Sequence, residues 1–361
     1  MAALNRRLLQ PGERIRVLVI DDSVVIRHLV TDALDHDPAL QVVGTASNGL
    51  IALQRIPQWN PDVLTLDIEM PEMNGLETLR RVRREYPGLR VIMFSTLTER
   101  GAAITLEALT LGADDYVAKA SNEGSLDRSM KRLREELVPK IKQFFHLPGV
   151  SSAAAAQPET PRSPVKFSLA GGRPKVVVIG VSTGGPTALG EILPELPVTF
   201  PLPVLVVQHM PPLFTRLLAE RLNATCKLAV EEAHQGKPVE PGKILIAPGD
   251  FQFKVTSAAD GVHVCLDQSA PENSCRPSVD VLFTSIGKAY GGAVIAVILT
   301  GMGQDGLRGT EILKALGGTV IAQDEASSVV WGMPGAVVTA GLADIVLPLN
   351  RIVPEIQRLA Y

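Results

Sequence analysis

Aromatic residues make up only 4% of this 361-residue chain, so any core has to be built from Val, Leu, Ile and Ala. Cysteine is scarce too. Cys226, Cys265 and Cys275 are odd in number and show no C-x-x-C spacing, which excludes a disulfide framework or a cysteine-rich zinc site and points to reduced thiols in a cytoplasmic protein. No stretch approaches the roughly 18 to 20 apolar residues of a membrane span. The N-terminus carries Arg6 and Arg7 but no long apolar run behind them, so neither membrane insertion nor a secretory signal is expected. Charge of one sign is also missing: 35 basic against 38 acidic residues give a net charge of −3, without the basic footprint of a nucleic-acid binder. What is present is an ordinary globular composition, 46% apolar, at a length that suggests two domains.

Residues 1–13 read as a loose leader. From Ile15 the pattern alternates between strand and helix. Strands are expected at 16–20, 40–46, 63–67, 91–95 and 115–117, and helices at 23–34, 49–58, 75–85, 99–111 and 125–145. Such alternation means βαβ units and a parallel sheet. Residues 147–173, rich in Pro, Ser, Ala and Gly, break the pattern and read as an interdomain linker. A second α/β set follows. Its strands are expected at 176–179, 204–208, 243–247, 294–299, 319–323 and 344–347, its helices at 187–193, 212–222, 278–290, 305–316 and 333–340, and a β-hairpin over 251–266 turns at Asp260-Gly261. The fold class is therefore α/β, with two doubly wound parallel-sheet domains joined by a Pro/Ala/Ser-rich linker.

In the first domain, Asp21-Asp22 follow the strand V-L-V-I, and Asp67 ends V-L-T-L with Glu69 just beyond. Carboxyl ends of neighbouring parallel strands converge on one crevice. Three carboxylates there are costly unless a cation neutralises them, and a hard dication with oxygen ligands, most simply Mg²⁺, fits. Ser95 and Lys119 close two further strands at the same edge and add the hydroxyl and ammonium that a phosphoryl group needs. One such Asp reads as well as a helix cap; the set on successive strand ends reads as a site.

This pattern resembles the receiver domain of bacterial response regulators. The resemblance implies Asp67 as phosphoacceptor, Mg²⁺ held by Asp22, Asp67 and the main-chain carbonyl of Glu69 with Asp21 assisting through water, Ser95 as switch hydroxyl and Lys119 as phosphate contact. Ala120 stands where receivers usually have proline, so the cis bond usual there is not expected.

In the second domain, V-V-V-I-G-V-S-T-G-G-P (Val176–Pro186) reads as a buried strand, a glycine-rich turn and a helix opened by Pro186. Ser182 would lie on that turn, beside a helix N-terminus that favours negative charge, either as a nucleophile or simply as an N-cap. A nucleophilic serine needs a base, and the base needs an orienting partner. Of the six histidines, His209 ends the next strand, P-V-L-V-V-Q-H, at the same edge. Asp305, in L-T-G-M-G-Q-D-G, follows a third strand; it could also cap its own helix. The Met302 backbone N–H is a candidate oxyanion donor. The Ser, His, Asp order departs from that of α/β-hydrolases, and neither a dinucleotide fingerprint nor a P-loop is present.

A receiver, a linker, then G-V-S-T-G-G-P, Q-H-M, L-T-G-M-G-Q-D-G and W-G-M-P-G-A together resemble the chemotaxis protein-glutamate methylesterases, the CheB family. The resemblance implies a flavodoxin-like receiver at 14–146 and a Rossmann-like hydrolytic domain at 174–361. Ser182 would be the nucleophile, His209 the general base and acid, and Asp305 the orienter, with no cofactor in the esterase site. The implied reaction is hydrolysis of glutamyl methyl esters, and deamidation of glutamines, on methyl-accepting chemoreceptors. The receiver would inhibit until a chemotaxis-type sensor histidine kinase phosphorylates Asp67. The alternative is a phosphorylation-dependent adaptor whose hydrolase half is inactive.

Overall fold

The computed structural model describes residues 9, 12–96, 98–119, 126–145 and 172–361. Most of the expected leader and linker, and Ala120, lie outside the described residues. The chain forms two compact units, Met1–Val150 and Ser151–Tyr361.

In the first unit β1 (Ile15–Ile20), β2 (Leu40–Ala46), β3 (Val63–Asp67), β4 (Arg90–Ser95) and β5 (Asp115–Ala118) form one parallel sheet in the order 2-1-3-4-5. Helices α1 (Val24–Asp35), α2 (Gly49–Trp59), α3 (Gly75–Glu85), α4 (Glu99–Thr110) and α5 (Leu126–Gln143) alternate with the strands. Strands β3 and β4 are buried along their whole length, which is why they read as apolar runs rather than alternating ones. Local chemistry sets the helix starts. Ser23 caps α1, and Asn74 with Glu77 makes a reciprocal capping box on α3.

In the second unit β6 (Val176–Val181), β7 (Val204–Gln208), β8 (Ala229–Glu232), β9 (Lys243–Ile246), β12 (Val294–Ile298), β13 (Thr319–Gln323) and β14 (Ile345–Leu347) form a seven-stranded parallel sheet in the order 14-13-12-6-7-9-8. The antiparallel hairpin of β10 (Gln252–Ala258) and β11 (Gly261–Asp267) turns at Asp260 as expected. The helices are α6 (Gly185–Ile192), α7 (Pro212–Asn223), α8 (Val279–Tyr290), α9 (Leu307–Ala315), α10 (Met333–Thr339) and α11 (Leu349–Ala360). The chain winds one way from β6 through β7 and the other way through β12. The crevice at the carboxyl ends of β6 and β12 is therefore the topological switch point, where open α/β sheets place their ligands.

Four sequence expectations need correction. The strand expected to break at Gly180 runs on to Val181; glycine is needed there because a Cβ would lie 2.5 Å from Val279 of α8. Helix α9 begins at Leu307, two residues after Asp305. Strand β8 was not expected, since A-V-E-E at a sheet edge is short and polar. Helix α11 was not expected either, because Pro354 interrupts its pattern. Its signal is the stripe Leu349, Ile352, Val353, Ile356 and Leu359, which packs inward.

Candidate active site and phosphoryl site

Strand β6 delivers Ser182 to the switch point. The Ser182 amide donates to the Thr300 carbonyl (3.0 Å), which locks the end of β6 to the loop after β12. Buried Gln208 donates its Nε2 to the Ser182 carbonyl (3.0 Å), and the His209 amide donates to the Val181 carbonyl (3.3 Å). Ser182 and His209 thus leave adjacent strands side by side. Gly301 touches Ser182 so closely that a Cβ there would stand 2.8 Å from the serine Cβ and 2.4 Å from Met333 Sδ. Among the described residues no protein acceptor takes the Met302 N–H, next in the chain.

His209 Nε2 lies 2.8 Å from Asp305 Oδ2. Asp305 is buried and does not cap α9, the helix that follows it; it caps α8 instead. Its Oδ2 accepts from the Val279 amide (2.7 Å), and its Oδ1 accepts from Ser278 Oγ (2.8 Å), the Asp280 amide (3.2 Å) and Asn273 Nδ2 (2.9 Å). A carboxylate at a helix N-terminus, accepting from free amides, is favoured electrostatically as well as sterically. Burial raises the Asp305 pKa, but the His209 hydrogen bond and charge and the α8 donors outweigh it and hold the carboxyl well below its usual range. Burial of the imidazole works against its charge, but the bonds to Asp305 and Cys275 outweigh it and raise His209 from 6.5 to about 10. The imidazole is thus oriented by a charge that cannot move.

The second ring nitrogen, Nδ1, faces Cys275 Sγ at 3.6 Å. No hydrogen bond joins the Ser182 hydroxyl to His209 among the described residues. The structure therefore brings His209 and Asp305 into direct contact, sets Ser182 on the adjoining strand end, and places a thiol against the other ring nitrogen of His209.

In the first unit Asp21, Asp22 and Asp67 bring one carboxylate oxygen each within 4.8 Å of one another. Lys119 Nζ bridges Asp21 (2.8 Å) and Asp67 (2.7 Å). Asp67 also accepts from the Ile68 amide (2.7 Å), yet burial and the neighbouring Asp21 push its pKa up to about 6 against Lys119. Two buried carboxylates and one exposed one, not fully neutralised by a single ammonium, fit a hard dication. Exposed Glu69 pairs loosely with Arg100 at 3.7 Å and keeps its side chain out of the cluster. The Ser95 hydroxyl accepts from Thr105 Oγ1 (2.6 Å) and lies within reach of the Gly101 carbonyl (3.2 Å), so it is turned toward α4.

A family model described as CheB methylesterase matches residues 177–356, and one for response regulator receiver domains matches residues 17–131. A protein-glutamate methylesterase/protein-glutamine glutaminase of Nocardioides sp. is 52% identical over 352 residues, spanning 96% of this chain and 95% of that one. The chain belongs to the CheB methylesterase family. A Thermotoga maritima relative of the same description is 45% identical and covers 94% of this chain and 97% of its own. The crystal structure of the Thermotoga maritima CheB methylesterase catalytic domain is 48% identical, with a TM-score of 0.51 over 52% of this chain and 98% of that one. By kind, this CheB-family chain is an enzyme of the methylesterase/glutaminase type with a receiver domain.

The sequence alone did not point to the residues that hold Asp305 and its histidine: Asn273, Cys275, Ser278 and Asp280. Ser278 carried a usable signal, a serine ahead of an apolar helix. Cys275 carried none, because 66 residues separate it from His209.

Proposed function

We propose that this chain hydrolyses glutamyl methyl esters, and deamidates glutamines, on chemoreceptor helices through Ser182, His209 and Asp305, under control of phosphorylation at Asp67. The observation that carries the reading is the 2.8 Å contact between His209 and a carboxylate immobilised by four further donors, beside the Ser182 strand end. Asp305 holds Nε2 as the N–H, which leaves the Nδ1 lone pair to act as base. Catalytic hydrogen bonds commonly tighten only when substrate is present. A turn of the Ser182 hydroxyl toward Nδ1, with Cys275 giving way, completes the relay.

Ser182 Oγ then adds to the side-chain carbonyl carbon as its proton passes to Nδ1. The oxyanion takes the Met302 N–H, a kind of donor worth about 3 to 4 kcal/mol of barrier. Collapse expels methanol, or ammonia from a glutamine, which leaves with the proton from Nδ1. Water, deprotonated by the same nitrogen, adds to the acyl-enzyme, and Ser182 leaves with its proton restored. Asp305 stays ionised throughout and offsets the imidazolium charge.

In the receiver unit, Asp21, Asp22, Asp67 and the Glu69 carbonyl would hold Mg²⁺, which when bound neutralises charge on the incoming phosphoryl oxygens. Lys119 would exchange its bond to Asp67 for a phosphoryl oxygen, and Ser95 would give up its bonds toward α4 to donate to another. A chemotaxis-type sensor histidine kinase in the cytoplasm is the expected phosphodonor. Methanol release from methylated receptor, with and without a small phosphodonor and Mg²⁺, tests both parts. Equal rates would remove the regulation, and undiminished turnover by Ser182→Ala would remove the catalysis.

A further inference from the structure

We propose that His209 and Cys275 form a binding site for a thiophilic divalent cation, Zn²⁺ or its heavier congener Cd²⁺, and that the cation silences the hydrolase by occupying its base. The silencing rests on the catalytic role given to His209; the binding does not. The Nδ1 to Sγ separation is 3.6 Å. Nitrogen and sulfur ligands at about 2.0–2.1 Å and 2.3 Å from tetrahedral zinc stand about 3.5 Å apart, so the two donors already span one edge of the coordination polyhedron. The other ring nitrogen is bonded to Asp305. A carboxylate on the far nitrogen is the arrangement that fixes a metal-binding imidazole and raises its basicity. Asp305 is itself held by α8 and Asn273, so the ring is presented in one orientation. His209, Cys275 and Asp305 each bring one nitrogen, sulfur or carboxylate oxygen within 4.8 Å of the others, so a carboxylate charge stands close to the pair.

The chemistry selects the ion. One thiolate and one imidazole suit a soft or borderline cation, whereas the all-carboxylate cluster of the receiver unit suits a hard one. Cys275 releases its thiol proton on binding, and water fills the open positions. With Nδ1 coordinated, no lone pair is left to accept the Ser182 proton.

The test uses the full chain in excess Mg²⁺, which saturates the acidic cluster. Zn²⁺ is titrated against a chromophoric chelator, and Co²⁺ is added separately to report a thiolate-to-metal charge-transfer band. We expect one equivalent of Zn²⁺ bound and a cobalt–thiolate band. Cys275→Ser should lose the band and weaken Zn²⁺ binding at least tenfold, while Cys226→Ser and Cys265→Ser keep both. Esterase activity should fall with Zn²⁺, return with EDTA, and resist Zn²⁺ in Cys275→Ser. Binding that Cys275→Ser leaves unchanged, or a cobalt spectrum without a thiolate band, overturns the site. Zn²⁺ bound at Cys275 with full esterase activity overturns the silencing and removes His209 as the base, leaving the site itself standing.

Discussion

Replacing Asp305 by asparagine tests the architecture of the site. The carboxylate accepts two hydrogen bonds at Oδ2, from His209 and Val279, and three at Oδ1, from Asn273, Ser278 and Asp280. An amide can accept on one side only. Whichever way it turns, its NH₂ points at two or three groups that also donate, in a position that is 3% exposed. Each hydrogen bond to a charged acceptor is worth roughly 1.5–3 kcal/mol, and each buried donor left without an acceptor costs roughly 1–3 kcal/mol. Ser278 can rotate to another acceptor and relaxation recovers part of the rest. A net loss of about 3–5 kcal/mol, the range for breaking a buried ion pair, is the expected outcome. Turnover should fall by about 10⁴, because an amide that donates to Nε2 imposes the wrong tautomer. Urea unfolding, following the transition of the catalytic unit, gives the first number, and methanol release gives the second. A variant within about 0.5 kcal/mol of the parent, with turnover within tenfold, would refute the reading of Asp305 as both anchor and orienter.

His209, with its pKa raised from 6.5 to about 10, should make activity and stability run in opposite directions with pH. A raised folded-state pKa stabilises fully below about 6.5 and is lost as pH climbs toward 10, while the neutral base needed for turnover gains population over the same interval. kcat/KM and the urea midpoint, each measured against pH, check this; Asp305→Asn should move the activity limb to lower pH. Gly301→Ala should abolish turnover and destabilise the catalytic unit, since the new Cβ meets Ser182 and Met333 at 2.8 and 2.4 Å; thermal unfolding and esterase assay decide. Asp67→Asn should leave basal esterase activity in place and remove any response to a phosphodonor, read as methanol release.

Both sheets, the hairpin and nearly all helices were legible in the sequence, because buried parallel strands read as short Val/Ile/Leu runs and turns are marked by Gly and Pro. Strand β8 and helix α11 were not, the first for being a polar edge and the second for its internal proline. The placement of the candidate site was legible as far as strand ends go: Ser182, His209 and Asp305 each follow an apolar run, and parallel strands finish at one edge. How the side chains engage is another matter. The helix cap that the sequence suggests for Asp305 is correct in kind, but the helix is α8, which precedes it in the chain. Nothing in the spacing tells which nitrogen of His209 the carboxylate takes, or that the loop before α8 brings a thiol to the other.

The placement of Asp305 also bears on how such a chain could lose its activity and survive. One carboxylate both seals the start of a core helix and steadies the imidazole, so drift at 305 would cost the molecule its shape along with its chemistry. Among the described residues the Ser182 hydroxyl makes no hydrogen bond that holds the fold. On the roles proposed above, a lineage retiring the reaction while keeping the body as a scaffold would change the serine first and retain the aspartate, so an intact 305 is weak testimony that a homologue still turns over.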